Sequence, residues 1–350
     1  TKHNCAAILG MSYFGEIKKG TLTLAWATAA RNNYVSCHGG LKIFRKEGDS
    51  YVASFFGLSG SGKSTLTHAK HDDKYDIEVL HDDAFVISVE DGSSVALEPS
   101  YFDKTNDYPA GHREQDYFVT VQNCGVTLDE NGRKVLVTED IRNGNGRTIK
   151  SRYSTPNRVD KIKEPIQSIF WIMKDDALPP LVKITDPRLA SILGCTLMTK
   201  RSTAENTGAG ANLDALVIEP YANPFRVYPL VEDYEKFKAL FDKGVDCYII
   251  NTGDFLGKKV TKEVSLGVIE TVVDGKANFE LFGGLPGMEY LPVEGYEVPE
   301  MSGDYAALIR DRMQFRLDYL KAFNDANPEH PIPTDALESI KTIERFIDVL

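Results

Sequence analysis

The sequence predicts an α/β fold in which mixed β-sheets are flanked by helices. The first observation is a run of aromatic and β-branched residues over positions 51–56, followed by a glycine-rich stretch and a helical pattern over 65–70. The second is that the apolar runs at 77–80 and 169–173 have the length and composition of buried strands. The third is that no internal repeat is visible, which argues against a solenoid or propeller. Further helical patterns occur at 187–199, 232–243, 304–323 and 334–350.

The glycine-rich loop (residues 57–64) has the spacing G-x-x-x-x-G-K-[ST], typical of loops that bind nucleotide phosphates. Its small residues let consecutive backbone N–H groups surround phosphate oxygens at the N-terminus of a helix. Lys63 is then expected to reach the β- and γ-phosphates, and the Ser64 hydroxyl to bind Mg²⁺. A chance Gly/Ser loop is the alternative, but the flanking strand and helix argue against it. The predicted nucleotide-binding residues here are Gly57, Leu58, Ser59, Gly60, Ser61, Gly62, Lys63, Ser64 and Thr65.

Composition limits the classes of function. The chain has 350 residues, enough for about two lobes, and a formal net charge of −11, which argues against a nucleic-acid partner. No apolar run approaches the ~20 residues that span a bilayer, so we expect no membrane partner and a cytoplasmic protein. The five cysteines form no C-x-x-C pair, so neither a disulfide framework nor a zinc site is indicated. We predict divisions at 1–50, 51–270 and 271–350: part of a substrate and metal lobe, the nucleotide-binding domain, and a mainly helical extension.

An acidic pair follows the predicted strand at 77–80. Asp83 lies 20 positions after Lys63, and Asp82 precedes it. A carboxylate at the end of a strand is where proteins with such loops place the acid that orders Mg²⁺ and water. Paired acids are also common on solvated surfaces, but their position after a nucleotide loop favours the metal.

Three basic side chains precede the loop. Lys18 and Lys19 stand ahead of an apolar helical pattern, and taken alone they would be a solvated helix end. His38 ends a predicted strand at 35–38, and a lone histidine is more often structural than a ligand. Their order along the chain decides between these interpretations.

Taken together, these motifs resemble the C-terminal, nucleotide-binding part of an ATP-type phosphoenolpyruvate carboxykinase. Residues 13–20 are similar to that family's tyrosine-glycine-rich, double-lysine motif, and His38 follows at the family's distance. Residues 55–64 resemble its ATP-type loop, and Asp82 and Asp83 fall on its acidic pair. The similarity in order and spacing covers most of residues 6–270. It implies the family's fold, a nucleotide-binding core of mixed sheets with flanking helices.

The resemblance also implies the metal and substrate residues. Lys19, His38 and Asp83 match the residues that hold Mn²⁺, whereas Lys63 and Ser64 match those that hold Mg²⁺-ATP. An ammonium group has no lone pair, so Lys19 can bind a metal only as the neutral amine, a form that a neighbouring lysine and a dication both favour.

Other positions carry over from the family by their local motifs. Lys18 matches the lysine between the substrate and the transferred phosphoryl group, and Tyr13 also lies on the substrate side. Arg152 matches the arginine that stabilises charge on that phosphoryl group. The predicted catalytic set is Lys18, Lys63, Asp82 and Arg152. The nucleotide side is completed by Lys104, Lys259 and Ser265, where Lys259 stands in place of the family's usual arginine.

The implied reaction converts oxaloacetate and ATP into phosphoenolpyruvate, ADP and CO₂ with Mg²⁺ and Mn²⁺. After the acidic pair the chain has Ala84 and Phe85 where the family has Glu-His, and residues 203–206 depart from its Thr-Glu-Arg-Gly segment. The family's N-terminal domain, which supplies an arginine for the oxaloacetate carboxylate, is expected to be missing from these residues. Two other functions stay open: a phosphotransferase of the same fold with another acceptor, as in the HPr kinases, or a non-catalytic nucleotide-binding module.

Overall fold

The computed structural model describes residues 5–10, 14–58, 60–80, 83–98, 100–104, 125–137, 147–151, 157–200 and 215–350; for residues 100–104 and 147–151 it describes the backbone alone. The helices are α1 (Phe14–Arg31), α2 (Lys63–His68), α3 (Pro187–Cys195), α4 (Leu230–Asp242), α5 (Lys262–Val273), α6 (Gly303–Ala326) and α7 (Thr334–Asp348). The strands are β1 (Tyr34–His38), β2 (Gly40–Lys46), β3 (Asp49–Phe56), β4 (Asp76–Leu80), β5 (Ala84–Ser88), β6 (Ser94–Ala96), β7 (Ser100–Lys104), β8 (Val126–Leu128), β9 (Lys134–Leu136), β10 (Arg147–Ser151), β11 (Arg158–Val159), β12 (Lys161–Ile162), β13 (Ser168–Met173), β14 (Leu181–Ile184), β15 (Met198–Lys200), β16 (Leu216–Ile218), β17 (Asp246–Asn251), β18 (Asp254–Phe255), β19 (Lys258–Lys259), β20 (Glu280–Leu281) and β21 (Met288–Tyr290).

A large mixed sheet lies at the centre of the fold. In the described part of the chain its nine strands run in the order β11-β4-β2-β3-β13-β17-β14-β21-β20. The middle strands β3, β13 and β17 are parallel to one another, whereas β2 and β14 on either side are antiparallel to them. This arrangement confirms the predicted α/β fold with mixed sheets and flanking helices.

The sequence of β13 explains why it lies in the middle. Every residue of this strand is buried, as expected where both faces of a sheet are covered. Trp171 packs into one hydrophobic cluster and Phe170 into the other, because neighbouring side chains of a strand point to opposite faces. The covering helices therefore bury both sides of the parallel strands.

A second sheet carries residues of the site. Within the described residues its four strands run in the order β1-β5-β6-β12, all antiparallel. Helix α1 packs on it through Leu22 and the fully buried Trp26, whose indole N–H donates to the carbonyl of Phe85 at 3.3 Å. The small sheet thus fixes α1 beside the end of β1.

Close approach at Gly40 brings the two sheets together. A Cβ atom at this position would lie 2.0 Å from the Oγ1 atom of Thr67 in α2. Since β2 begins at Gly40, directly after β1, a glycine here lets the chain pass between the sheets beneath the helix that follows the glycine-rich loop.

Some element boundaries differ from the prediction. The helix expected over 187–199 ends at Cys195, and residues 198–200 form β15. Its start is well marked, since Asp186 accepts hydrogen bonds from the backbone N–H groups of Arg188 and Leu189. The large sheet extends through β2 and through β20 and β21, which lie outside the predicted central domain 51–270; that division stays a prediction. No described helix is both long and apolar enough to cross a membrane.

Lys42, in the middle of β2, is the most unusual residue of the large sheet. Its side chain is fully buried, and burial lowers the pKa of its amine to about 7 despite the opposing effect of Glu270. The ammonium group donates hydrogen bonds to the carbonyls of Leu66 at 2.7 Å and Ala69 at 3.3 Å. A lysine whose folded-state pKa lies below its unfolded value of about 10.4 binds its proton less tightly after folding.

The Lys42→Met substitution should therefore flatten the pH dependence of stability. Between pH 7 and 9 the unfolded chain keeps the proton that the folded chain has lost, so Lys42 should make the free energy of unfolding rise with pH, by up to about 1.4 kcal/mol per unit. Urea unfolding of both proteins across this range measures the difference. Parallel pH curves for the two proteins would contradict the prediction.

Candidate active site

The site lies at the carboxyl edge of the parallel strands. The glycine-rich loop follows β3, Lys174 follows β13, and Thr252 follows β17. Because parallel strands end at the same edge of a sheet, these three segments meet there, which is where open α/β sheets bind ligands.

The glycine-rich loop has the backbone expected of an anion-binding turn. Gly60 and Gly62 adopt φ angles of 74° and 98°, and Gly62 is the N-cap of α2. Only glycine adopts such angles without strain. Ser61 is buried, whereas Ser64 and Thr65 lie exposed in the first turn of the helix. The loop therefore places the N-terminus of α2 and the side chain of Lys63, its first residue, next to each other.

Two side chains from neighbouring strands hold this loop. The Lys174 ammonium donates to the carbonyl of Gly60 at 2.7 Å, and the Thr252 hydroxyl donates to the carbonyl of Ser61 at 2.7 Å. Burial lowers the pKa of the Lys174 amine, and the nearby charge of Lys259 lowers it further. The sequence analysis missed Lys174, although its place directly after a predicted buried strand was the available signal.

Three predicted side chains contact the carboxylate of Asp83: those of Lys19, His38 and Lys63. We call these four residues the Asp83 cluster. His38 Nε2 lies 3.1 Å from Asp83 Oδ2. Lys63 Nζ lies 3.6 Å from the same oxygen, and Lys19 Nζ lies 3.6 Å from Oδ1. Three stretches that are distant in the sequence therefore converge at the glycine-rich loop.

Backbone pairing explains this convergence. His38 at the end of β1 pairs with Ala84 at the start of β5, and the backbone N–H of Gly39 donates to the carbonyl of Asp83 at 2.9 Å. Helix α1 packs on the same sheet and carries Lys19, whose ammonium lies 5.0 Å from the centre of the Phe225 ring. The small sheet supplies the acid and the imidazole, while the large sheet supplies Lys63.

The hydrogen bonds of His38 fix its tautomer. Nδ1 lies 2.7 Å from the carbonyl oxygen of Ala222, and because a carbonyl can only accept, Nδ1 carries the hydrogen. Burial lowers the pKa of His38, and the charge of Lys63 lowers it further, although Asp83 opposes the shift. Nε2 faces Asp83, so it donates to the carboxylate when the ring is protonated and presents a lone pair when the ring is neutral, the form that the lowered pKa favours.

The carboxyl group of Asp83 is ionised. Burial opposes ionisation, but the surrounding His38, Lys63 and Lys19 outweigh it and hold the pKa well below its usual range. A carboxylate oxygen and the Nε2 atom of an imidazole thus face one another at 3.1 Å.

This pair of donors fits a divalent cation. Two ligands about 2.1 Å from one ion and at right angles to each other are about 3 Å apart, which matches the separation of Nε2 and Oδ2. Among the described residues, no group of three or more His, Cys, Asp or Glu side chains could hold a metal ion. Lys19 Nζ, 3.6 Å from Asp83 Oδ1, is a further nitrogen beside this pair, and its use as a metal ligand stays a prediction.

Lys18 has a different partner from that of Lys19. Its Nζ lies 2.7 Å from Oε1 of Glu98, whose side chain is 5% exposed. The N–H of Leu97 donates to the carbonyl of Ala84 at 2.9 Å, so strand pairing brings Glu98 next to Asp83. Lys18 and Lys19, neighbours in the sequence, thus pair with different carboxylates, Lys18 with Glu98 and Lys19 with Asp83. The sequence analysis missed Glu98, since nothing local marks its pairing.

The remaining predicted residues lie apart from the Asp83 cluster or outside the description. Lys259 is exposed in the β18–β19 hairpin, and Ser265 is buried in α5, where its hydroxyl donates to the carbonyl of Thr261 at 3.2 Å. Lys104 ends β7, where the backbone alone is described. Four predicted residues lie outside the described ranges: Tyr13, Ser59, Asp82 and Arg152.

Comparison with known proteins identifies the family. The sequence profile described as phosphoenolpyruvate carboxykinase, of the ATP type, matches residues 1–301. A relative from Aeropyrum pernix named phosphoenolpyruvate carboxykinase (ATP) is 24% identical over 351 residues, which cover 90% of this chain and 67% of the relative. The profile spans most of the chain and includes the whole Asp83 cluster. The chain therefore belongs to the ATP-type phosphoenolpyruvate carboxykinase family.

Proposed function

We propose that the protein catalyses the ATP-dependent decarboxylation and phosphorylation of oxaloacetate, giving phosphoenolpyruvate, ADP and CO₂. The observation that carries this proposal is the Asp83 cluster, in which the imidazole of His38, the amino group of Lys19 and that of the loop lysine Lys63 each lie within 3.6 Å of the Asp83 carboxylate. Family membership supports the same reaction.

The nucleotide is assigned to the glycine-rich loop. Its helix N-terminus and Lys63 would bind the β- and γ-phosphates of ATP, and the exposed hydroxyl of Ser64 is available to Mg²⁺. Since Lys63 also contacts Asp83, the terminal phosphate would lie next to the Asp83 cluster. We assign the adenine side to Lys259 and Ser265, together with Lys104.

The second cation is assigned to His38, Asp83 and Lys19, with Mn²⁺ as the expected ion. When bound, it supplies a Lewis acid that polarises the oxygen atoms of the keto acid. His38 donates an electron pair without first losing a proton, because its Nδ1–H is held by the carbonyl of Ala222. Asp83 supplies negative charge that offsets the charge of the ion.

The chain's own residues then act by position and charge. Loss of CO₂ from oxaloacetate leaves an enolate oxygen, which attacks the γ-phosphorus while ADP departs. Both reactants are anions, so the ammonium groups of Lys18 and Lys63 lower their repulsion and stabilise the charge that develops during transfer. Arg152 is assigned to the same phosphoryl group, and Asp82 to the ordering of Mg²⁺ and water beside it. No side-chain nucleophile is required.

The two other functions are less well supported. A nucleotide-binding module without catalysis does not need Lys19, His38 and Asp83 side by side, yet they are in contact. A phosphotransferase with another acceptor would use the loop and the acid, but it would not need the lysine and the imidazole together. The cluster favours the carboxykinase reaction.

A coupled assay of ADP formation tests the proposed function. With Mg²⁺, Mn²⁺ and ATP present, ADP formation should require oxaloacetate. Lys63→Met and His38→Ala should each lower the rate at least about 100-fold, because each removes a group that stabilises charge during transfer. Lys321→Met, an exposed lysine of α6, is the matched control and should keep the wild-type rate. ADP formation that needs no oxaloacetate and survives His38→Ala would overturn the proposal.

The affinity for Mn²⁺ should begin to fall at a lower pH than it does at a site with an ordinary histidine. Because the pKa of His38 is lowered, protons should begin to compete with the metal only below about pH 6.5, the ordinary value for histidine. His38→Gln should weaken binding at least about tenfold, whereas His330→Gln, an exposed control, should not. Electron paramagnetic resonance of free Mn²⁺ between pH 5 and 8 measures both effects. Equal affinity in the wild type and His38→Gln would contradict the metal assignment.

Removing the charge of Glu98 should slow catalysis while leaving nucleotide binding intact. Glutamine keeps the shape of the side chain but loses the ion pair with Lys18. A charge-assisted hydrogen bond contributes about 1.5–3 kcal/mol, so kcat should fall about 10- to 100-fold in Glu98→Gln. Steady-state kinetics should show an unchanged KM for ATP. A kcat within twofold of the wild type would show that Lys18 does not depend on Glu98.

A further inference from the structure

A chain of buried polar groups lies beneath the helix that follows the glycine-rich loop. The ammonium group of Lys42 contacts two carbonyls at the carboxyl end of α2, those of Leu66 and Ala69. Its third hydrogen bond, at 2.9 Å, is to Nε2 of His71. His71 Nδ1 in turn lies 2.8 Å from Oε1 of Glu270 in α5. Since a carboxylate accepts, Nδ1 carries the hydrogen and Nε2 accepts from Lys42.

In its protonated form, which prevails below its pKa of about 7, Lys42 thus uses all three of its donor positions. The rings of Phe44 and Phe55 surround it, with centroids 4.6 Å and 5.6 Å from Nζ. Burying an amine is costly unless its hydrogen bonds are all replaced. An apolar side chain in the middle of a sheet would avoid that cost, so a lysine here points to a specific use of its three bonds.

The turn that carries His71 is held in an unfavourable backbone conformation. His71, Asp72 and Asp73 have φ angles of 54°, 51° and 58°, in the left-handed region that side chains with a Cβ atom disfavour. Such conformations persist only where the surroundings fix them. The ring of His71, held between Lys42 and Glu270, is one of the contacts that hold this turn.

The other end of the chain of polar groups lies in α5. This helix starts directly after the β18–β19 hairpin that contains Lys259, and Thr261 caps its first turn. Lys74 also contacts Glu270, at 3.3 Å. The polar chain therefore joins α2 to the helix that supports the predicted adenine side of the site.

We propose that Lys42, His71 and Glu270 are positioning residues that fasten the carboxyl end of α2 to α5 and so hold the glycine-rich loop in its nucleotide-binding position. Lys63 and Ser64 lie one turn away from the carbonyls that Lys42 binds, so a shift of the helix end would displace both. The three residues touch no nucleotide; they act through the backbone of α2. This role rests on the proposed function only in that the loop binds ATP.

Three variants test the proposal: Lys42→Met, Glu270→Gln and His71→Asn. Asparagine is chosen at position 71 because it tolerates the left-handed backbone but is too short to contact both Lys42 and Glu270. In each, the backbone amides of residues 64–69 should exchange hydrogen faster. Below about pH 7, where the ammonium form of Lys42 prevails, loss of a charged hydrogen bond should also raise the Kd for Mg²⁺-ATP about tenfold. Hydrogen exchange followed by mass spectrometry and titration calorimetry of the full chain measure the two effects.

Asp274→Asn is the matched control. Asp274 ends α5 one turn beyond Glu270 and binds Lys74 and Tyr75 at 2.9 Å, but it does not contact Lys42. Its loss should lower overall stability without changing the exchange of residues 64–69 or the Kd. The proposal is overturned if Lys42→Met and Glu270→Gln behave like this control, or if exchange rises while the Kd stays constant. A wild-type protein that binds no ATP would refute the proposed function, and the exchange rates alone would then decide whether the fastening exists.

Discussion

The negative charge of the half-buried Asp83 is the feature on which the arrangement of the site depends. An ionised carboxylate that is partly shielded from water is stabilised by nearby positive or hydrogen-bonding groups. Here Lys19, His38 and Lys63 provide that compensation, and they come from α1, the small sheet and the loop of the large sheet. The charge therefore requires three separate parts of the fold to be packed correctly before the site exists, which links its formation to folding.

Much of the fold and part of the site could be predicted because the relevant signals are local. The glycine-rich loop and its flanking strand are contiguous, and the carboxyl end of a strand locates Asp83. The resemblance to the carboxykinase family was also visible from ordered motifs, and the family comparison confirms it. The roles of the predicted site residues, those of the Asp83 cluster included, stay predictions.

What could not be predicted depends on contacts between distant residues. The partner of Lys18 is Glu98, 80 positions later, and the atom that fixes the tautomer of His38 is the carbonyl of Ala222, 184 positions later. Neither residue carries a motif. The end of α3 was misplaced for a related reason: the apolar pattern continues past Cys195, but pairing of β15 with β16 interrupts the helix. Tertiary pairing thus overrides a local pattern.

Side chains from three other strand segments hold the glycine-rich loop and the helix that follows it. Lys174 and Thr252 bind its carbonyls, and Lys42 binds the far end of α2. A loop fixed in this way loses little conformational entropy when it binds phosphate, so more of the interaction energy remains for the transition state. The same logic applies to the adjacent lysines. Because Lys18 and Lys19 are bound to different carboxylates, two like charges can stay side by side where the proposed reaction would bring two anionic reactants together.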